Sequence, residues 1–295
     1  MSIQRIGIVG CGLMGAGIAQ SAAEAGFDVR VKEVDEGFLA KGLGRIHAAW
    51  DRAVTKGKLT EAQKREFAQR LHGTLDMATL GDCDLVVEAV PERLELKLKT
   101  LADLDAAVGP MALICSNTSS LSLAQLGTAL SPTRHSRLAG LHFFNPVPAM
   151  PLVEIVRTLE TSEEAVADLK AFVARLGKTP VLAPDAPGFV VNRLLVPYLL
   201  DAIRCAEQRL ASVDDLDAAM KLGAGHPMGP LHLSDFIGLD TMVSVADVFF
   251  EAFGEPRFKA PALLRQLVAS GRLGRKSGSG FYRWDGEKRL ESLPL

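Results

Sequence analysis

The chain has no paired-cysteine motif. Its four cysteines, Cys11, Cys83, Cys115 and Cys205, lie far apart and form neither a CxxC pair nor a zinc pattern. Buried, reduced thiols in a cytoplasmic protein are the expectation. No apolar run approaches the roughly 20 residues that a membrane span requires. The opening residues, Met1-Ser2-Ile3-Gln4-Arg5-Ile6, run straight into a strand pattern, so no signal peptide is expected. A strong charge of either sign is missing too. The net charge of -2 argues against general affinity for nucleic acid or an anionic membrane. His47, His72, His135, His226 and His232 read as residues of polar helices or loops at no metal-binding spacing. There is no internal repeat and no low-complexity segment.

What is present is the profile of a globular protein, 48% apolar and 23% charged. Its 295 residues allow one large domain or two ordinary ones. The first half alternates short apolar runs with helical patterns. Strands are expected at 6–9, 29–32, 84–88, 112–115, 138–142 and 152–156, with a further one at 180–183. A helix from Met14 to Ala25 ends on Gly26, a favourable residue just past a helix end. The polar stretch 38–71 reads as a helical arm of two helices hinged near Lys56-Gly57-Lys58, because Thr60-Glu61-Ala62-Gln63 is a capping box. Strands alternating with helices imply an α/β fold with a mainly parallel sheet covered on both faces. The pattern changes at Asp185-Ala186-Pro187-Gly188. Beyond it come helices and loops, with no convincing strand before Phe281-Tyr282. The boundary is therefore placed near 185, giving a sheet domain at 1–184 and a smaller helical domain at 185–295. The helix at 239–253 is apolar almost all round and reads as buried, in its own domain or against a second subunit. The last dozen residues are polar and are expected to fray.

Chemistry concentrates at strand ends. Gly10-Cys11-Gly12-Leu13-Met14-Gly15 sits between a strand and a helix, where a GxGxxG turn acquires a mechanism. Gly10 permits the tight turn, Gly12 lets backbone approach a pyrophosphate, and Gly15 lets the helix pack closely on the strand. The helix N-terminus then offers N–H groups and partial positive charge to phosphates. Glu33 ends the second strand, eighteen residues after Gly15. A carboxylate there can accept hydrogen bonds from ribose hydroxyls and repel a 2′-phosphate, favouring NAD over NADP. Lys32 beside it weakens that preference, and Glu33 and Asp35 also read as ordinary polar loop residues.

Four further features stand open on the residues alone. His142, at a strand end in Gly140-Leu141-His142-Phe143-Phe144-Asn145-Pro146, suits a general base that titrates near neutral pH. Glu154, in Leu152-Val153-Glu154-Ile155-Val156, needs a partner if buried and could orient that ring. A lone histidine in an apolar strand is more often a satisfied core residue. Ser116-Asn117-Thr118-Ser119-Ser120 could hold a substrate hydroxyl or the nicotinamide ribose, or simply cap a helix starting near Leu121. Asn192, inside the apolar helical run 188–194, needs a partner that is either substrate or another helix.

At these residues the chain resembles the short-chain L-3-hydroxyacyl-CoA dehydrogenases, especially the bacterial 3-hydroxybutyryl-CoA dehydrogenases. The blocks carrying the resemblance are SNTSSLS at 116–122, GLHFFNPVPAM at 140–150, PGFVVNR at 187–193, HPMGPLHLSDFIGLD at 226–240 and GRKSGSGFY at 274–282. They extend over nearly the whole chain. The resemblance implies a Rossmann-type NAD-binding domain, a helical domain that closes the cleft and forms a homodimer, and reversible oxidation of an (S)-3-hydroxyacyl-CoA by NAD. It implies His142 as general base with Glu154 as its partner, and Ser119 and Asn192 as the groups holding the substrate's 3-oxygen and thioester carbonyl. Glu33, Glu92, Lys97, Ser119, Asn145 and Lys276 match cofactor-contacting positions. Lys56 matches a basic residue of the arm that contacts CoA, where a cation suits phosphate. Four positions depart from the usual pattern: Glu33 in place of aspartate, Ala49 in place of serine, Pro151 in place of lysine, and Ser234 where a smaller residue is common. The alternatives are a dehydrogenase of a free hydroxy acid, like gulonate dehydrogenase, and a non-catalytic dinucleotide-binding protein like the crystallin relatives.

Overall fold

The computed structural model describes residues 3–295. The chain divides after Phe189 into two compact units, 1–189 and 190–295.

The first unit is built on an eight-stranded sheet of order β3-β2-β1-β4-β5-β6-β7-β8. The strands are β1 (Arg5–Val9), β2 (Asp28–Lys32), β3 (Leu71–Thr74), β4 (Leu85–Glu88), β5 (Leu113–Ser116), β6 (Leu138–Phe143), β7 (Leu152–Arg157) and β8 (Thr179–Pro184). Strands β1 to β6 are mutually parallel; β7 runs antiparallel to β6, and β8 parallel to β7. Helices α1 (Leu13–Glu24), α2 (Glu36–Thr55), α3 (Glu61–Gln69), α4 (Leu94–Ala107), α5 (Leu123–Gly127) and α6 (Glu163–Arg175) form the connections. The central strands are apolar along their length because parallel strands covered on both faces have no solvent side. Ile6, Ile8, Val29, Val31, Leu85, Val87, Leu113 and Cys115 are buried accordingly.

The arm folds as its residues direct. Asp35 caps α2 by accepting from Phe38 N at 2.8 Å. Thr60 and Gln63 form the capping box of α3. Ile46 and Trp50 belong to the sheet-covering core, and the Trp50 indole N–H donates to Glu24 of α1 at 2.7 Å, so the arm is anchored to the first helix.

The second unit contains α7 (Val191–Glu207), α8 (Val213–Gly223), α9 (Pro230–Ile237), α10 (Leu239–Phe253), α11 (Ala262–Ala269) and a hairpin of β9 (Tyr282–Asp285) and β10 (Lys288–Ser292). Two buried aspartates organise it. Asp217 accepts from Leu231 N and His232 N in the first turn of α9 and from the Tyr282 hydroxyl. Asp235 accepts from Phe281 N, Tyr282 N and the Trp284 indole N–H, each at 2.9 Å. Buried carboxylates with both oxygens engaged hold such elements in one arrangement.

Several expectations are corrected. The last dozen residues do not fray: Asp235 anchors the hairpin at its buried end, and Leu293 N still donates to Phe281 O at 2.8 Å. Leu71 ends no helix; it begins the edge strand β3, whose LHGT sequence has little apolar alternation to announce it. His72 lies in that strand, and His232 lies in the apolar helix α9 with its ring 5.3 Å from that of Trp284. Helix α10 buries one face, Leu239, Met242, Ala246 and Phe249, while Val248 and Phe250 are 41% and 38% exposed. Asn192 is in the first turn of α7 and not inside a helix begun at 188. Gly188 and Phe189 have φ of +79° and +47°, which a right-handed helix excludes.

Candidate active site

The parallel strands β1 to β6 all end at one edge of the sheet, and most of the expected site residues gather there. At β1 the chain turns through Gly10 into α1. Gly10 has φ of +94°, and a Cβ on it would lie 2.8 Å from Ala89 O. At Gly15 a Cβ would lie 1.8 Å from Gly10 O, so only glycine lets α1 approach the strand. A Cβ at Gly12 meets nothing within 4 Å, leaving that approach open. No side chain caps α1 at Gly12. An open approach, a turn of the required conformation and a helix N-terminus without a side-chain cap fit the pyrophosphate of a dinucleotide. Leu13 and Met14 are the first residues of that helix. Glu33 follows β2 immediately; its carboxylate accepts from Cys11 N at 2.5 Å and Val34 N at 3.0 Å, drawing the acid onto the turn. Burial, with the Glu33 charge nearby, pushes the Cys11 thiol up to about 11, so it stays protonated.

At the ends of β4 and β5 lies a charged network whose members were only partly foreseen. Glu92 accepts from the Thr118 hydroxyl at 2.6 Å, Ser119 N at 2.9 Å and Ser120 N at 3.1 Å. Its other oxygen lies 3.2 Å from Lys97 Nζ. Burial raises the Glu92 carboxyl, but Lys97 and the donors at Thr118 and Ser119 outweigh it and hold it below the usual value. Lys97 is itself buried, its ammonium held by Glu88 at 2.8 and 3.0 Å. Ser119 is exposed, while Ser122, not Leu121, marks the start of the following helix by capping α5.

The centre of the edge is the pair His142 and Glu154. These residues sit directly opposite each other across the antiparallel β6–β7 pair. Nδ1 of His142 lies 2.6 Å from Glu154 Oε2, with both side chains buried. That contact fixes the tautomer with the proton on Nδ1 and leaves Nε2 as an acceptor. The rings of Phe144 and Phe189 pack edge-on at 4.6 and 5.4 Å. Such a dyad can take a proton and stabilise the imidazolium formed.

The sequence assigns no role to Glu88, Phe144 or Phe189, and marks Asn117 only as part of the serine loop. Asn117 Oδ1 accepts from Phe143 N at 3.0 Å, tying the serine loop to the residue after His142. A carboxylate closing the apolar run Leu85-Val86-Val87-Glu88 was the available signal for Glu88. Asn145 is exposed in the loop after β6, and Lys56 is exposed at the end of α2. Asn192 and Lys276 belong to the second unit, where Lys276 pairs with Asp240. Of the departing positions, Ser234 is buried and satisfied by Pro230 O at 2.8 Å, and Pro151 O accepts from Thr179 N at 2.7 Å at the start of β7. All four cysteines are free, and among the described residues no group of three or more histidine, cysteine or acidic side chains could hold a metal.

A parallel sheet with a glycine turn, an acid after the second strand and a histidine–carboxylate dyad on the same edge defines a dinucleotide-dependent dehydrogenase. Residues 5–186 match the sequence model of the 3-hydroxyacyl-CoA dehydrogenase NAD-binding domain, and residues 188–284 match that of the same enzymes' C-terminal domain. The chain belongs to the 3-hydroxyacyl-CoA dehydrogenase family and is an NAD-dependent oxidoreductase of that class. It is 48% identical over 285 residues to the 3-hydroxybutyryl-CoA dehydrogenase of Mycobacterium tuberculosis, covering 96% of this chain and 99% of that one. It is 44% identical to the mitochondrial hydroxyacyl-coenzyme A dehydrogenase of Rattus norvegicus, covering 96% and 91%. The crystal structure of (S)-3-hydroxybutyryl-CoA dehydrogenase from Ralstonia eutropha superposes with a TM-score of 0.93 at 43% identity, covering 96% and 100%.

Proposed function

We propose that the chain interconverts (S)-3-hydroxyacyl-CoA and 3-ketoacyl-CoA, with 3-hydroxybutyryl-CoA as its short-chain substrate, and that His142 is the general base. The observation that carries this reading is the 2.6 Å contact between buried His142 and Glu154 at the sheet's carboxyl edge. Nε2 of His142 accepts the proton of the substrate's 3-hydroxyl. Glu154 holds the ring through Nδ1 and offsets the positive charge it acquires. NAD supplies the hydride acceptor when bound. The glycine turn and Glu33 bind the adenosine half, while Ser119, Glu92, Lys97 and Asn145 form the nicotinamide side. Ser119 also orients the substrate's 3-oxygen. Asn192 for the thioester carbonyl, Lys276 for the cofactor and Lys56 for CoA rest on family position.

We place the domain boundary near 185, where the composition changes, and assign dimerisation to the helical domain. The partly exposed Val248 and Phe250 of α10 support that assignment. The four unpaired thiols support a reducing compartment such as the cytoplasm. No helix among the described residues is long and apolar enough to cross a membrane.

The deciding assay compares acetoacetyl-CoA with free acetoacetate, each with NADH. Turnover confined to the CoA ester is the expected result; equal turnover of the two would reject the CoA assignment. A series of longer 3-ketoacyl-CoA esters tests the short-chain preference, and light scattering tests the dimer.

A further inference from the structure

We propose that Glu88 is a positioning residue for this reaction: through Lys97 and Glu92 it sets the backbone amides of the Ser119–Ser120 loop. This rests on the reading of Ser119 as a group facing the reactants. Glu88 is 0% exposed and its carboxylate accepts four hydrogen bonds from three donors. Oε1 accepts from Lys97 Nζ and Val90 N, each at 2.8 Å. Oε2 accepts from the Ser116 hydroxyl at 2.6 Å and from Lys97 Nζ at 3.0 Å.

Lys97 is correspondingly saturated. Its ammonium is shared among Glu88, Glu92 at 3.2 Å and Val90 O at 3.3 Å. A buried ammonium with one anionic partner removed draws harder on the other. Glu92 is that other partner. One oxygen of Glu92 faces Lys97 while the opposite oxygen receives Ser119 N and Ser120 N. Glu88 thus balances Lys97 and leaves Glu92 free to hold the loop. A second route runs through Ser116, whose hydroxyl oxygen accepts from Thr118 N at 3.2 Å. Glu88 touches no reactant; its effect is transmitted.

The test uses the full chain and the variants Glu88→Gln, Lys97→Met and Glu88→Gln/Lys97→Met. Gln keeps the size of Glu88 and removes its charge. We expect kcat on acetoacetyl-CoA to fall about 10- to 100-fold in Glu88→Gln, with KM within about threefold of wild type. The double variant should fold and turn over within about threefold of Lys97→Met alone, because removing both charges removes the imbalance. Amide hydrogen exchange at Ser119 and Ser120 should accelerate in Glu88→Gln while β1 amides stay protected. Wild-type kcat and wild-type exchange in Glu88→Gln would overturn the proposal, as would losses that simply multiply in the double variant. If Glu88→Gln does not fold, Glu88→Asp, which keeps the charge but shortens its reach to Lys97 Nζ and the Ser116 hydroxyl, is read by the same kcat and exchange measurements with the same outcomes. A wild-type chain inactive on acetoacetyl-CoA would fail the substrate reading alone, since the exchange experiment needs no turnover.

Discussion

Replacing His142 by alanine removes the group with the free Nε2 and leaves Glu154 buried without its ring. A loss of about 10²- to 10⁴-fold in kcat on acetoacetyl-CoA is expected. Unchanged turnover would remove the base from His142. Glu154→Gln keeps the shape of the side chain but presents a neutral group to Nδ1, so kcat should fall with little change in KM. At the glycine turn the steric demand is absolute. Gly15→Ala drives a methyl group to within 1.8 Å of Gly10 O unless the helix moves. That variant should lose NADH binding in a fluorescence titration, and retained wild-type affinity would contradict the close-approach argument.

Elements set where these residues go. The loop joining β5 to α5 is held by Glu92 from one side and by Asp185, which accepts from the Ser122 hydroxyl, Leu123 N and Ala124 N, from the other. Glu92 titrates below its ordinary value of 4.5 when folded. A carboxyl depressed by folding stabilises above its unfolded value and loses that contribution as pH falls through the folded one. The difference in melting temperature between wild type and Glu92→Gln should therefore be full near neutrality and shrink below pH 4.5. A difference independent of pH would show that Glu92 acts by shape alone.

Most strands were legible as apolar runs, and the arm as a capping box, because both signals are local. β3 was not, since Leu71-His72-Gly73-Thr74 is recognisable as a strand only once Val29 to Lys32 lies beside it. Of the hairpin at 282–292 only the start at Phe281-Tyr282 was legible, for the same reason: Asp235, forty-seven residues before Tyr282, provides its anchor. The pairing of His142 with Glu154 was readable as a possibility, two polar residues in apolar strands. What fixed it was register, which neither strand carries alone. Lys97 illustrates the opposite case: its position is legible from the sequence, but the buried Glu88 that holds its ammonium is not.

Among the described residues, each unit has an apolar cluster of its own. One, around Ile8, Val31, Leu85 and Leu141, covers one face of the sheet; the other, around Leu200, Leu231, Phe249 and Phe281, joins the helices and hairpin. Two such cores should give two calorimetric transitions, or one broader than two-state. NADH, bound chiefly through the first unit, should raise the transition belonging to the sheet unit, by about 2.7 kcal/mol at one hundred times Kd. Equal displacement of both would show that the units unfold together.

The antiparallel register of β6 and β7 governs which changes of length the chain can absorb. His142 and Glu154 are opposite residues, and the segment 144–151 between the strands lies outside the ladder. An added or deleted residue there leaves the facing of both strands unchanged, although Phe144 against His142 and the buried Val147 make contacts of their own within it. The same change within 138–143 or 152–157 turns the subsequent side chains to the other face and separates acid from base. In a scan of single-residue insertions, those within either strand should abolish activity, and the active variants should fall in the connection beyond Phe144 and Asn145.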